Sequence, residues 1–112
     1  MMKQDQVAKA TREGYVKVAE GIERKTLVFG EKTLMVEFRL EKGSRLPFHS
    51  HPHEQTGYLV SGRLVLVIAG QGQEMTPGSS WSIPGNVEHG AEIRENSVAV
   101  EVFSPVREDY LP

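Results

Sequence analysis

The histidines of this 112-residue chain are His49, His51, His53 and His89, and three of them crowd into His49-Ser50-His51-Pro52-His53-Glu54-Gln55. The fourth follows a turn in Ile83-Pro84-Gly85-Asn86-Val87-Glu88-His89. Imidazoles gathered this way are ligands for divalent transition metals, which they bind as neutral nitrogen donors. His49, His51, His53 and Gln55 share one parity, so an extended segment would point all four to one face and offer several ligands to one ion. His89 must then arrive from a second strand. A lone histidine is more often a surface or core residue, but four of them at these spacings weigh against that plainer reading.

The elements that must position these groups read as strands. Residues 33–40 alternate, with Leu34, Val36, Phe38 and Leu40 on one face and Met35, Glu37 and Arg39 on the other, a period that predicts a strand with one face in a core. Gly43 and Pro47 are expected to break this run. Residues 56–60 predict a short strand ended by a tight hairpin at Ser61-Gly62. Residues 64–69 are almost continuously apolar and predict a strand covered on both faces. Gly70-Gln71-Gly72 predicts a further hairpin, and Thr76-Pro77-Gly78 and Pro84-Gly85-Asn86 predict turns. Residues 97–104 predict the last strand, with Val98, Val100 and Val102 on one face and Ala99, Glu101 and Phe103 on the other. Residues 1–14 read as an N-terminal tail or a short helix, and residues 15–112 as one domain. Short strands at regular spacing point to an all-β barrel or sandwich.

Composition narrows the partners. A net charge of -2 without a basic stripe argues against nucleic acid. The absence of cysteine excludes a disulfide framework and a thiolate metal site. No signal peptide and no apolar stretch of membrane-spanning length is found, so no membrane partner and a cytoplasmic location are expected.

The spacing of the histidines resembles the two motifs of the cupin superfamily. The first motif's glycine, His-x-His pair, carboxylate position and second glycine fall on Gly43, His49, His51, Gln55 and Gly62. The second motif falls on Gly78, Pro84 and His89, with Asn86 at a glycine position and Ile93 where the motif ends in asparagine. The resemblance implies an all-β, single-domain cupin, a double-stranded β-helix or jelly-roll barrel. It also implies a divalent transition metal (Ni, Mn, Fe or Zn) held by His49, His51, Gln55 and His89. His53 is the alternative to Gln55. Gln55 is preferred because Pro52 interrupts the strand and the motif puts a ligand at position 55, which leaves His53 at the rim. With glutamine in place of glutamate, all four ligands are neutral. The ion would keep its full charge, act as a stronger Lewis acid and attract anions.

A narrower resemblance lies in Glu101-Val102-Phe103-Ser104-Pro105-Val106-Arg107. It is similar to the small cupins of the pectin-degradation type, which linearise 4,5-unsaturated galacturonate and related uronates. Their Asp-x-Phe-Ser-Pro-x-Arg stretch implies an acid/base carboxylate at Glu101, an aromatic wall at Phe103 and an arginine at Arg107 for a small anionic substrate. The chain departs in having glutamate for aspartate. The residues themselves also admit plainer roles. Glu101 is then a solvated strand residue, Phe103 core, and Arg107 a surface partner of Glu108 or Asp109, since parity alone does not say which face is inside. Tyr58 and Trp81 are candidates to line the cavity, Arg24 is a weaker candidate for substrate contact, and Met35 and Met75 read as core gap-fillers. An iron-dependent dioxygenase and a non-catalytic small-molecule-binding cupin are the competing readings. The resemblance further implies a homodimer, with residues 15–19 placed to cover a neighbour's sheet edge.

Overall fold

The computed structural model describes residues 5–112, so the first four residues of the expected tail lie outside the described residues. Eight strands follow: β1 (Val16–Ala19), β2 (Ile22–Phe29), β3 (Leu34–Leu40), β4 (Arg45–His49), β5 (Glu54–Ile68), β6 (Gln71–Met75), β7 (Ser80–Ile83) and β8 (His89–Ser104). A single 3₁₀ turn over Glu108–Tyr110 closes the described chain. All pairings are antiparallel, in the order β1-β2-β3-β8-β5-β6, with β4 also on β8 and β7 also on β5. The result is the all-β jelly-roll architecture that the strand pattern and the resemblance imply.

Two long strands make the barrel possible. β5 and β8 pair along both of their arms, Glu54 to Leu59 against Ser104 to Ala99, and Leu64 to Ile68 against Ile93 to His89. Between the arms the register shifts at Ser61 and Arg63. The expected Ser61-Gly62 hairpin is therefore not a reversal but a bulged corner inside β5. Gly62 has φ +90°, and a Cβ there would sit 2.2 Å from Ser97 Oγ, so only glycine fits. Ser97 Oγ accepts the Arg63 N–H at 3.0 Å, serving a donor that the bulge takes out of the ladder. The last strand likewise begins at His89 rather than at residue 97. The run of β3 ends at Leu40, before Gly43, as expected, and Pro47 lies inside the next strand, β4, at the register shift between Leu46 and His49.

The core follows the alternation. Leu34, Val36, Phe38 and Leu40 are buried and pack with Leu59, Leu64, Leu66, Ile93, Ala99 and Phe103. Each of these side chains larger than Ala99 contributes about 1.5–3 kcal/mol by leaving water. Met75 joins this core, but Met35, on the opposite parity of β3, is 37% exposed and fills no gap. Val65 and Val67 are only half-buried, so the arm expected to be covered on both faces is buried on one, at Leu64 and Leu66. The hairpin after it turns at Ala69 and Gly70, both with positive φ as a two-residue turn between Ile68 and Gln71 requires. Residues 5–14 form neither helix nor strand; the Gln6 side chain accepts the Phe29 N–H, and Lys25 donates to the Thr11 carbonyl. β1 pairs with β2 of its own chain and forms an edge of the sheet.

Candidate functional site

Strand pairing alone brings the first two imidazoles together. His49 at the end of β4 lies directly opposite His89 at the start of β8, with ring centroids 4.3 Å apart. His51, in the loop after β4, comes to 5.1 Å from His89 and 5.7 Å from His49. One ligand atom from each of the three lies within 4.8 Å of the others. The loop is tied down by the Pro84-Gly85-Asn86 turn: the Asn86 N–H donates to the His51 carbonyl at 2.7 Å, and a Cβ on Gly85 would stand 2.4 Å from the Pro52 carbonyl oxygen.

Each ring is oriented by its own backbone. Nδ1 of His49, His51 and His89 lies 2.8, 3.0 and 2.9 Å from the carbonyls of Pro47, His53 and Val87. A carbonyl only accepts, so Nδ1 carries the proton and Nε2 is left as the lone-pair donor, as metal-binding imidazoles require. Burial, the leading cause, pushes the pKa of His89 down to about 4 and lowers that of His51, which keeps both neutral at pH 7. His89 Nε2 is buried without a hydrogen-bond partner. Gln55 Oε1 stands 2.8 Å from His51 Nε2, two lone pairs facing each other. A cation between such groups relieves both anomalies, so the residues fit a divalent transition metal. His53 lies outside the nitrogen cluster. The chain leaves the strand over residues 50–53, and His53 serves through its carbonyl, which holds His51.

Beside the imidazoles stands Glu101, buried on the inner face of β8 together with Ala99 and Phe103. Its carboxylate accepts from Trp81 Nε1 at 2.8 and 3.2 Å and from Gln55 Nε2 at 3.2 Å. Burial raises its pKa to about 7, against the lowering effect of the Trp81 and Gln55 hydrogen bonds. Phe103 is 1% exposed, and its ring meets His51 edge-on at 5.7 Å. The same cavity is lined by His49, His89, Trp81, Arg107 and Tyr110.

Arg107 keeps the ion pair of its plainer reading but is not on the surface. It pairs with Asp109 at 2.8 and 3.3 Å, yet its side chain is only 12% exposed and lines the cavity. Its Cζ lies 3.9 Å from the centroid of the Tyr110 ring and 5.0 Å from that of Phe103. Arg24 stacks on the same Tyr110 ring at 4.0 Å and is not among the cavity-lining residues. Tyr58 is 51% exposed on the outer face of β5, contrary to the expectation that it lines the cavity. Tyr110 and Asp109 were not legible as site residues, because the sequence after Pro105 has no strand period to place them. Gly57 had one signal, an isolated glycine inside a strand pattern, which marks a close approach of another group.

An antiparallel barrel with three imidazoles, an amide and a buried carboxylate converging inside it defines a small β-barrel with a candidate metal centre. The cupin-domain family (Cupin_2) matches residues 36–105, and the chain belongs to this family. It is 31% identical over 96 residues to the pectin degradation protein KdgF of Dickeya dadantii, covering 84% of this chain and 87% of that protein. The solved structure of KdgF from Halomonas sp. superposes with a TM-score of 0.91 at 27% identity, covering 96% of this chain and all of that one. An RmlC-like cupin from Shewanella frigidimarina gives a TM-score of 0.90 at 27% identity, covering 99% of this chain and all of that one. Among the described residues no helix is long and apolar enough to cross a membrane.

Proposed function

We propose that this chain is a metal-dependent cupin enzyme that converts a 4,5-unsaturated uronate, or a related sugar acid, into its linear keto form. The observation that carries the reading is Glu101, a carboxylate buried beside the imidazole cluster and held there by Trp81 and Gln55. The likeness to KdgF supports the substrate class.

The reaction is an isomerisation and needs no co-reactant. The anomeric hydroxyl loses its proton, the bond between C1 and the ring oxygen breaks, and the enol that remains gains a proton at C4. Glu101 takes the first proton and delivers one to carbon, a double duty suited to a carboxyl of raised pKa. Arg107 meets the substrate carboxylate as a bidentate donor, exchanging Asp109 for it. Phe103 gives the sugar ring an apolar wall and keeps water from the carboxyl. His49, His51, Gln55 and His89 would hold the metal, which when bound supplies electrostatic stabilisation of developing oxyanion charge.

The test is addition of the purified protein to freshly made products of a polysaccharide lyase. Accelerated loss of the ultraviolet absorbance of the conjugated enol ether, with keto and aldehyde signals appearing by NMR, is the expected result. A decay no faster than in buffer would remove the reading.

A further inference from the structure

Trp81, Gly57 and Glu101 occupy one row across three strands. Trp81 of β7 pairs with Gly57 of β5, and Gly57 pairs in turn with Glu101 of β8. Side chains in one row share a face of the sheet. The middle member of this row has no side chain, and the space is fully used: a Cβ on Gly57 would sit 2.1 Å from Trp81 Nε1 and 2.5 Å from Glu101 Oε2. The indole therefore crosses over Gly57 to reach the carboxylate of the next strand but one. Its N–H, which can only donate, lies 2.8 Å from one carboxylate oxygen and 3.2 Å from the other.

We propose that Trp81 is the positioning residue for Glu101, and that Gly57 is the vacancy through which it acts. The proposal rests on the reading of Glu101 as the acid/base group. A glutamate has one more rotatable bond than an aspartate, and a carboxylate in a cavity can swing through it. The Trp81 N–H on one side and the Gln55 amide on the other remove that freedom. Packing alone would ask neither for an aimed indole N–H nor for a glycine beneath it. Misplacing a reacting group by about 1 Å costs on the order of 100-fold in rate, which sets the scale of the effect.

The experiment combines kinetics with one resonance. Trp81 is the chain's sole tryptophan, so its indole gives one cross-peak in a ¹H–¹⁵N spectrum. Glu101→Ala is expected to move that peak upfield, as loss of a charged acceptor requires, while Glu101→Gln, which keeps an oxygen, moves it less. Trp81→Phe is expected to lower kcat by about 10- to 100-fold with KM changed less than about threefold, because orientation and not binding is lost. Gly57→Ala should do the same. An unmoved indole peak in Glu101→Ala overturns the proposal, as does a fully active Trp81→Phe enzyme. Wild-type protein inactive on the uronate would instead remove the functional reading, and the indole resonance would then decide the contact alone.

Discussion

Glu101 and Gln55 share a hydrogen bond whose direction depends on what each side chain is. The amide can face the imidazoles with its oxygen and give its N–H to the carboxylate, which an ionised glutamate at position 55 could not do. Gln55→Glu would set two carboxylates side by side, one of which must take up a proton. The expected outcome is tighter metal retention, read by elemental analysis, with at least tenfold lower turnover. Glu101→Gln should lose about 100-fold or more in activity, the scale of a lost general acid/base group. It should also change the pH dependence of stability in chelator-treated protein. The Glu101 pKa rises from 4.5 to about 7 on folding, so its favourable contribution is complete below pH 4.5 and is lost as pH climbs through 7. The loss is about 3 kcal/mol. His89, lowered to about 4, works the other way, losing stability as pH falls from 6.5 toward 4. Urea unfolding at pH 5 and pH 8 should therefore show Glu101→Gln gaining on wild type at the higher pH only; equal differences at both would refute the assignment.

At the scale of elements, two glycines do different work and can be told apart. Gly85 lies in the turn that clamps the loop carrying His51, with no room for a Cβ against the Pro52 carbonyl. Gly85→Ala must push that loop away, so metal affinity should fall about 10- to 100-fold in a protein that still folds. Gly62 holds the corner of β5, where φ is +90° and Ser97 closes the space. Gly62→Ala should cost about 2–4 kcal/mol of stability yet leave metal affinity nearly unchanged. Metal titration followed by calorimetry on both variants tests the pair; the opposite pattern would refute it. The same corner shows where sequence reading stops. The parity of residues 34–40 and 97–104 was legible, because a strand with one face in a core must alternate. Ser61-Gly62 carries the same glycine signal whether a strand reverses or bulges. Only the continued pairing with β8, a long-range fact, decides between the two. Likewise, parity set Glu101 and Phe103 on one face but did not say that the face was the inner one.

For the whole molecule, three of the four expected metal ligands lie in one short run, and the fourth, His89, joins them only when the chain is folded. His49 ends β4, His51 follows it in a loop, Gln55 is on β5 and His89 begins β8. That clustering explains why the ligand types were legible from spacing while the pocket was not. The motif names the donors, but Trp81, Arg107 and Tyr110 join them only through the sheet order and the final turn. A metal held there would also contribute to folding, since the unfolded chain has no comparable arrangement of nitrogen lone pairs. An ion that binds the native state alone stabilises it by RT ln(1 + [L]/Kd), about 2.7 kcal/mol at a hundredfold excess over Kd. Chelation is therefore expected to lower the melting temperature of the wild-type protein, and addition of Ni, Mn, Fe or Zn to restore it. His89→Ala removes a partnerless buried nitrogen and one ligand together, so its melting temperature should respond to neither treatment. A wild-type melt indifferent to chelator and added metal would mean that the imidazole cluster is a structural feature of the barrel and not a metal centre.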